Sequence, residues 1–88
     1  MIKQPIVIQN KLGLHVRAAA KLVDTAKKFS SQIQLILRDR SVDAKSIMNV
    51  ITLGAQKDNE IEIQAEGEDE AQAIHALSKL INAKFGED

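Results

Sequence analysis

Alternating apolar and polar residues mark four stretches of the chain as β-strands that each bury one face. The predicted strands are residues 2–9, a strand around Ile33, Leu35 and Leu37, a short strand over residues 41–44, and residues 61–67. A turn at residues 38–40 joins the second strand to the third. Pro5 has no backbone N–H to donate, so it places the first strand at a sheet edge or marks that strand's beginning.

Three other segments repeat apolar residues at three- and four-residue steps, which predicts amphipathic helices. They extend from Val16 to Lys28, from the N-cap residue Ser46 to a stop at Gly54, and from Asp69 to Lys84, with Phe85 closing the end. The expected buried stripes are Val16, Ala19, Ala20, Val23 and Ala26 in the first helix, and Ala71, Ile74, Leu77, Leu80 and Ile81 in the last.

The order β-α-β-β-α-β-α predicts an α+β fold, in which helices pack on one face of a four-stranded, antiparallel sheet. A chain of 88 residues is expected to form one domain, residues 1–88. Similar layouts serve many roles, so function has to be sought in particular residues.

Composition argues against several classes of function. Twelve basic residues balance twelve acidic ones, and only two residues are aromatic, so neither a net field nor stacking platforms favour nucleic acid. The chain has no cysteine, and its two histidines lack companion ligands, so we expect no metal site. No phosphate-binding glycine pattern occurs, and no cofactor is expected. The N-terminal residues do not resemble a signal peptide and no segment suits a membrane span, which predicts a cytoplasmic protein without membrane insertion.

The segment GLHVRAAAKLV, residues 13–23, contains the more informative histidine. His15 stands directly before the first predicted helix, where unpaired N–H groups and the positive end of the helix dipole converge. Arg17 adds a positive charge. Both features disfavour a protonated imidazole, so we expect a neutral ring with an available lone pair. On placement alone, a loop histidine without a chemical role is an equal alternative.

A phosphoryl group on that ring would reverse the sign of each interaction. The dianion would meet backbone donors at a helix N-terminus and a guanidinium that binds phosphate oxygens in a fork. The arrangement therefore predicts that His15 accepts a phosphoryl group and that Arg17 binds it.

Three segments together resemble the HPr family, the histidine phosphocarriers of the bacterial phosphoenolpyruvate-dependent phosphotransferase system. GLHVRAAAKLV resembles that family's active-site segment, AKSIMNVITLG its regulatory-serine segment, and IEIQAEGEDEAQAI its fourth strand and final helix. The resemblance covers nearly all of the chain without a gap.

The resemblance implies an open-faced β-sandwich with strand order 1-4-2-3 and three helices on one face. It also implies that His15 takes the phosphoryl group on Nδ1 from phosphorylated Enzyme I. The group would then pass to an enzyme IIA-type acceptor or a regulator. The chain would be a carrier without turnover of its own, and we expect a monomer.

One position departs from the pattern of the resembled family, because Ala18 follows Arg17 where proline is usual. Proline would lack an N–H and would restrict the residue before it. Ala18 therefore frees Arg17 and restores a backbone donor near the phosphate. We expect phosphoryl transfer to survive, with an altered phosphohistidine lifetime or transfer rate.

Ser46 needs no chemistry to be explained, since serine is a favoured N-cap. The resemblance implies, compatibly, that Ser46 is the target of an HPr kinase/phosphorylase. A phosphate there would repel phosphorylated Enzyme I and slow transfer to His15.

The short second helix cannot bury every side, so either Ile47 or Met48 is expected to stay exposed. The resemblance implies a docking patch of Val16, Ile47 and Met48 beside His15, with Lys45 and Lys27 at its rim.

Two alternatives remain open within this interpretation. One is a regulatory interaction protein controlled through Ser46 with a vestigial His15, although the presence of both His15 and Arg17 favours a carrier. The other is the nitrogen-related branch of the resembled family, which uses the same chemistry and reports to regulators rather than to sugar permeases.

Overall fold

The computed structural model describes residues 1–87, which form four strands and three α-helices in the predicted order. The strands are β1 (Ile2–Val7), β2 (Gln32–Leu37), β3 (Arg40–Asp43) and β4 (Glu60–Glu66). The helices are α1 (Val16–Ala26), α2 (Ile47–Leu53) and α3 (Glu70–Asn82), followed by a 3-10 turn, Lys84–Gly86. The single domain expected over residues 1–88 stays a prediction, and Asp88 lies outside the described residues.

All strand pairs are antiparallel, and the strand order is β1-β4-β2-β3. This confirms the α+β open-faced sandwich with order 1-4-2-3. Pro5 lies on the edge strand β1, opposite Glu62 of β4, as its missing N–H predicts. Central strand β4 buries alternate residues Ile61, Ile63 and Ala65, so a single face of the sheet meets the helices.

The assignment of Val16 and Ala71 to the buried stripes of α1 and α3 was wrong. Val16 is 65% exposed and Ala71 is also exposed, whereas Leu22 and Ala73 are buried. The buried residues are Ala18, Ala19, Leu22, Val23 and Ala26 in α1, and Ala73, Ile74, Leu77 and Ile81 in α3. Val16 and Ala71 lie beside the buried side of their helices, so they keep a three- or four-residue spacing to a buried residue without facing the core themselves.

Phe85 closes the end of the helical layer as predicted, since it is buried against the core directly after α3. The backbone reaches this position through positive φ angles at Lys84, Phe85 and Gly86. We call residues Lys84–Glu87 the C-terminal segment. Among residues 1–87, no helix has the length and apolar character needed to cross a membrane.

Candidate functional site

The loop between β1 and α1 is fixed by hydrogen bonds that lead the chain directly into α1. The Leu14 N–H donates to the Ala55 carbonyl at 3.0 Å, and the Asn10 side-chain amide donates to the Gly13 carbonyl at 2.7 Å. Gly13 has a φ of +65°, and a Cβ there would lie 2.6 Å from the Ala55 carbonyl oxygen. Glycine is therefore required where this loop passes close to the backbone of Ala55 and Gln56, which follow α2. His15 is placed two residues later.

His15 is the N-cap residue of α1, and its extended backbone lets its carbonyl accept the first helical hydrogen bond, from Ala19, at 2.8 Å. Its side chain does not cap the helix. Within residues 1–87, the N–H groups of residues 16–18 also have no acceptor. Three donors at the positive end of α1 are thus available to an anion.

The His15 ring instead contacts the C-terminal segment. Its Nε2 lies 2.5 Å from Oε2 of Glu87, while the Asn10 amide donates to Oε1 of the same carboxylate at 3.2 Å. In the described part of the chain, Nδ1 of His15 has no hydrogen-bond partner. The two ring nitrogens therefore differ, because Nε2 is held and Nδ1 is not.

Glu87 changes the electrostatics that the sequence predicts for His15. Partial burial raises the pKa of Glu87, but hydrogen bonds from His15 and Asn10 and the charges of His15 and Lys21 together lower it below its ordinary value of 4.5. The carboxylate is therefore charged at neutral pH, and the sequence-based expectation did not include this negative charge beside the ring. The expectation of a neutral ring rested on the helix end and Arg17 alone, and it stays a prediction.

His15, Arg17 and Glu87 line an open cleft of about 710 Å³, together with Lys11, Leu12 and Val16. The His15 side chain is 26% exposed. Arg17 is exposed, and its guanidinium makes no ion pair with any carboxylate in residues 1–87. A phosphoryl donor can therefore reach the imidazole, and a free guanidinium lies in the same cleft.

Ser46 is the N-cap of α2, as predicted, because its Oγ accepts a hydrogen bond from the Asn49 N–H at 3.3 Å. The Lys45 ammonium donates to the Phe29 carbonyl at 2.8 Å, which ties the start of α2 to the chain just after α1. Because α1 has 11 residues, its two ends are about 16 Å apart.

Four large apolar side chains are exposed on α1, α2 and the loop before α1: Leu12, Val16, Ile47 and Met48. We call them the exposed apolar residues. The sequence did not single out Leu12, and it predicted exposure of only one of Ile47 and Met48, whereas both are exposed. Lys27 is exposed at the C-cap of α1, and Lys45 is half-buried through its bond to Phe29.

Sequence reasoning missed Glu87 because it lies 72 positions from His15 and shares no motif with it. The contact arises because Phe85 is buried and directs the next residues toward the start of α1. The only available signal was a phenylalanine near the end of the chain with acidic residues after it. His75 is exposed on α3, and residues 1–87 contain no cluster of side chains suited to a metal ion.

Comparisons with known proteins agree with the geometry of this site. The PTS-HPr family model, described as the PTS HPr component phosphorylation site, matches residues 2–83. The phosphocarrier protein HPr of Neisseria meningitidis serogroup A is 48% identical over 87 residues, covering 99% of this chain and 98% of that protein. The HPr of Xylella fastidiosa strain 9a5c is 47% identical over 88 residues, covering 100% of this chain and 99% of that protein.

The fold comparison gives the same family. A crystal structure of HPr from Thermoanaerobacter tengcongensis has a TM-score of 0.97 and 50% identity, covering 100% of this chain and 99% of that one. The match thus extends over the loop, the three helices and the sheet that together position His15. This chain belongs to the HPr family, the phosphocarrier proteins of the phosphotransferase system.

Proposed function

We propose that this chain carries a phosphoryl group on Nδ1 of His15, receives it from phosphorylated Enzyme I, and passes it to an enzyme IIA-type component or a regulator. The contrast between the ring nitrogens supports this most directly. Glu87 engages Nε2, whereas Nδ1 has no partner within residues 1–87 and the residue lines an open cleft. A lone pair on Nδ1 is then available to attack phosphorus.

Arg17 and the N–H groups of residues 16–18 bind the transferred phosphoryl oxygens. These donors attract a dianion far more than they attract a neutral ring, so they stabilise the phosphorylated state. The open cleft leaves the phosphoryl group accessible to the next protein. Such a site suits a carrier, which has to hold the group and then release it.

The exposed apolar residues Val16, Ile47 and Met48, joined by Leu12, form the surface on which Enzyme I and the acceptor dock. Their exposure, from 40% to 69%, supports this role, since large apolar side chains at the surface are typical of the centres of protein interfaces. Lys27 and Lys45 add positive charge at the far end of α1. In this proposal the chain acts as a monomer.

Regulation through Ser46 is part of the proposal. A phosphate there would stand directly before the exposed Ile47 and Met48, so it would act on the docking surface. Repulsion of an anionic partner would slow transfer. We expect Ser46→Asp to slow phosphorylation of His15 by Enzyme I, while Ser46→Ala keeps the rate of the unchanged protein. Equal rates for the two variants would contradict this regulation.

Labelling tests the carrier function. The protein is incubated with phosphoenolpyruvate and Enzyme I, and any acid-labile phosphate is mapped. We expect the label on His15, its loss in His15→Ala, and its retention in His75→Ala, the matched control on the exposed face of α3. Addition of an enzyme IIA-type component should discharge the label. Label that persists in His15→Ala would contradict the proposal.

A further inference from the structure

We propose that Glu87 is a positioning residue for His15, which holds the neutral imidazole in the tautomer with its lone pair on Nδ1 and stabilises the charge that develops on the ring during transfer. The inference rests on the proposed carrier function and adds to it a residue 72 positions from the acceptor.

The contact between Glu87 and His15 determines where the ring proton lies. A carboxylate can only accept hydrogen bonds, so the 2.5 Å contact to Oε2 requires a proton on Nε2. A neutral imidazole carries a single ring proton, and Nδ1 therefore keeps its lone pair. Without the carboxylate, nothing in residues 1–87 bonds to either ring nitrogen to select this tautomer.

The C-terminal segment is built to bring the Glu87 carboxylate to this position. Phe85 is 1% exposed, and its carbonyl accepts a hydrogen bond from the Lys21 ammonium at 2.6 Å. Lys84 and Phe85 both have a φ of +56°, which is unfavourable for residues with a Cβ. The fully buried Asn10 then donates to Oε1. The burial of Phe85 and these two bonds hold a strained turn that ends at the His15 ring.

The same carboxylate favours the transfer step. The Nδ1 lone pair forms the new N–P bond, while the bond from phosphorus to the donor atom of Enzyme I breaks and its electron pair stays with that atom. The proton remains on Nε2, so the phosphorylated ring becomes positively charged. Glu87 stabilises this cation from the Nε2 side. The other charged groups that face the site are all cations, namely Arg17 and Lys11 in the cleft and Lys21 on α1.

Glu87→Gln gives a test in which the expected tautomer is reversed. The Asn10 amide donates to Oε1, so the glutamine oxygen should face Asn10 and its NH₂ should face the ring. Nε2 must then accept, which moves the ring proton to Nδ1. We record the ¹⁵N chemical shifts of His15 at about pH 8, where histidine is ordinarily neutral. In the unchanged protein Nε2 should have the shift of a protonated nitrogen and Nδ1 that of an unprotonated one, and in Glu87→Gln the two should be reversed. We also expect phosphorylation by Enzyme I to slow by about ten-fold.

Three further variants separate positioning from a structural effect. Glu68→Gln removes an exposed carboxylate elsewhere and should change neither the ring spectrum nor the rate. Glu87→Ala leaves the ring without a partner, so its nitrogens should show a mixture of tautomers and the rate should fall less than in Glu87→Gln. Glu87→Asp should restore part of the original spectrum.

The outcomes distinguish this inference from the proposed function. A Glu87→Gln protein that keeps the original tautomer overturns the positioning role, even if its rate falls. An unchanged rate together with an exchanged tautomer overturns it as well. The ring spectra are recorded on unphosphorylated protein, so they test the tautomer even if the proposed carrier function is wrong. Label retained in His15→Ala would overturn the carrier function alone.

Discussion

Helices α1 and α2 pack against each other, yet their first turns use their backbone donors in opposite ways. At α2, the Ser46 hydroxyl accepts a hydrogen bond from the Asn49 N–H, so the helix is capped by its own residue. At α1, the His15 ring makes no cap and turns toward Glu87, and residues 16–18 keep their N–H groups unpaired within the described chain. A missing N-cap typically costs about 1 kcal/mol of stability.

The difference shows what distinguishes a binding helix end from a structural one. The start of α2 has one of its donors paired by its own N-cap side chain, a bond that the start of α1 lacks. The start of α1 has unpaired donors, a guanidinium without an ion pair in residues 1–87 and a solvent-accessible imidazole in one cleft, and each would interact favourably with a phosphoryl group. In the proposed function, we expect phosphorylation to recover the stability that α1 lacks in the free protein.

Arg17→Ala should give the largest effect, because it removes the one guanidinium in this cleft. Charge-assisted bonds to phosphate are worth about 1.5–3 kcal/mol, so we expect at least about a ten-fold loss in the rate of His15 phosphorylation. Arg17→Lys keeps the charge but loses the two-pronged hydrogen bonding of the guanidinium, so its phosphorylation rate should lie between those of Arg17→Ala and the unchanged protein. Stopped-flow phosphorylation with Enzyme I measures the rates. Equal rates for Arg17→Ala and the unchanged protein would remove Arg17 from the site.

Exchanging the N-cap residues tests the comparison of the helix starts directly. Ser46→Ala should lower the free energy of unfolding by about 1 kcal/mol, since it leaves the Asn49 N–H unpaired. His15→Ser should be more stable than His15→Ala by about the same amount, because serine can cap α1. Both variants at position 15 lose the Glu87 contact, so they form a matched pair. Urea unfolding measures all three variants. Equal stability of the position-15 pair would show that α1 has no uncapped start.

Ala18→Pro should have a smaller effect on the phosphorylated state. Ala18 is buried, and its N–H is one of the unpaired donors of α1, so proline would remove a single hydrogen bond to the phosphoryl oxygens. We expect hydrolysis of the phosphohistidine to become about three-fold faster, which corresponds to one net hydrogen bond. Ala20→Ser, in the next turn, serves as a control. Identical hydrolysis rates in Ala18→Pro and the unchanged chain would contradict a role for this donor.

The start of α3 gives the smallest effect, confined to acid. Hydrogen bonds from Ser31 and Ser30 hold the pKa of Asp69 below its ordinary value of 3.8. The unfolded chain therefore binds this proton more readily, so the contribution to stability is complete above about pH 3.8 and is lost as the pH falls through the lower folded-state pKa.

Asp69→Asn should consequently show a shallower loss of unfolding free energy in this acid range than the unchanged protein. Asp24→Asn, on the exposed face of α1, is the control and should keep the original slope. Denaturant unfolding at a series of pH values measures the slopes. An Asp69→Asn protein with the original slope would show that the Ser31 contact does not affect acid stability.

The sequence predicted the parts of this molecule that depend on local periodicity and local chemistry. Alternation identified the strands, and Pro5 predicted either a sheet edge or the beginning of a strand, of which the structure shows β1 at the edge. The N-cap role of Ser46 followed from the residue type alone. Val16 and Ala71 were assigned wrongly because a three- or four-residue spacing to a buried residue also holds for positions beside the buried side of a helix.

The candidate site was predicted only as far as neighbouring residues define it. His15 and Arg17 lie two positions apart at a helix start, so their shared cleft follows from local structure. Glu87 could not be predicted in the same way, because its position depends on the burial of Phe85 and on three consecutive positive φ angles. A contact over 72 positions is set by tertiary packing.

The most direct measurement is ¹⁵N–³¹P coupling in the phosphorylated, ¹⁵N-labelled protein. With Nε2 held by Glu87 and Nδ1 without a partner in residues 1–87, phosphorus should couple to Nδ1 of His15, and His75 should show no coupling. Coupling to Nε2 of His15, or to either nitrogen of His75, would mean that the start of α1 does not receive the phosphoryl group through the unbonded nitrogen.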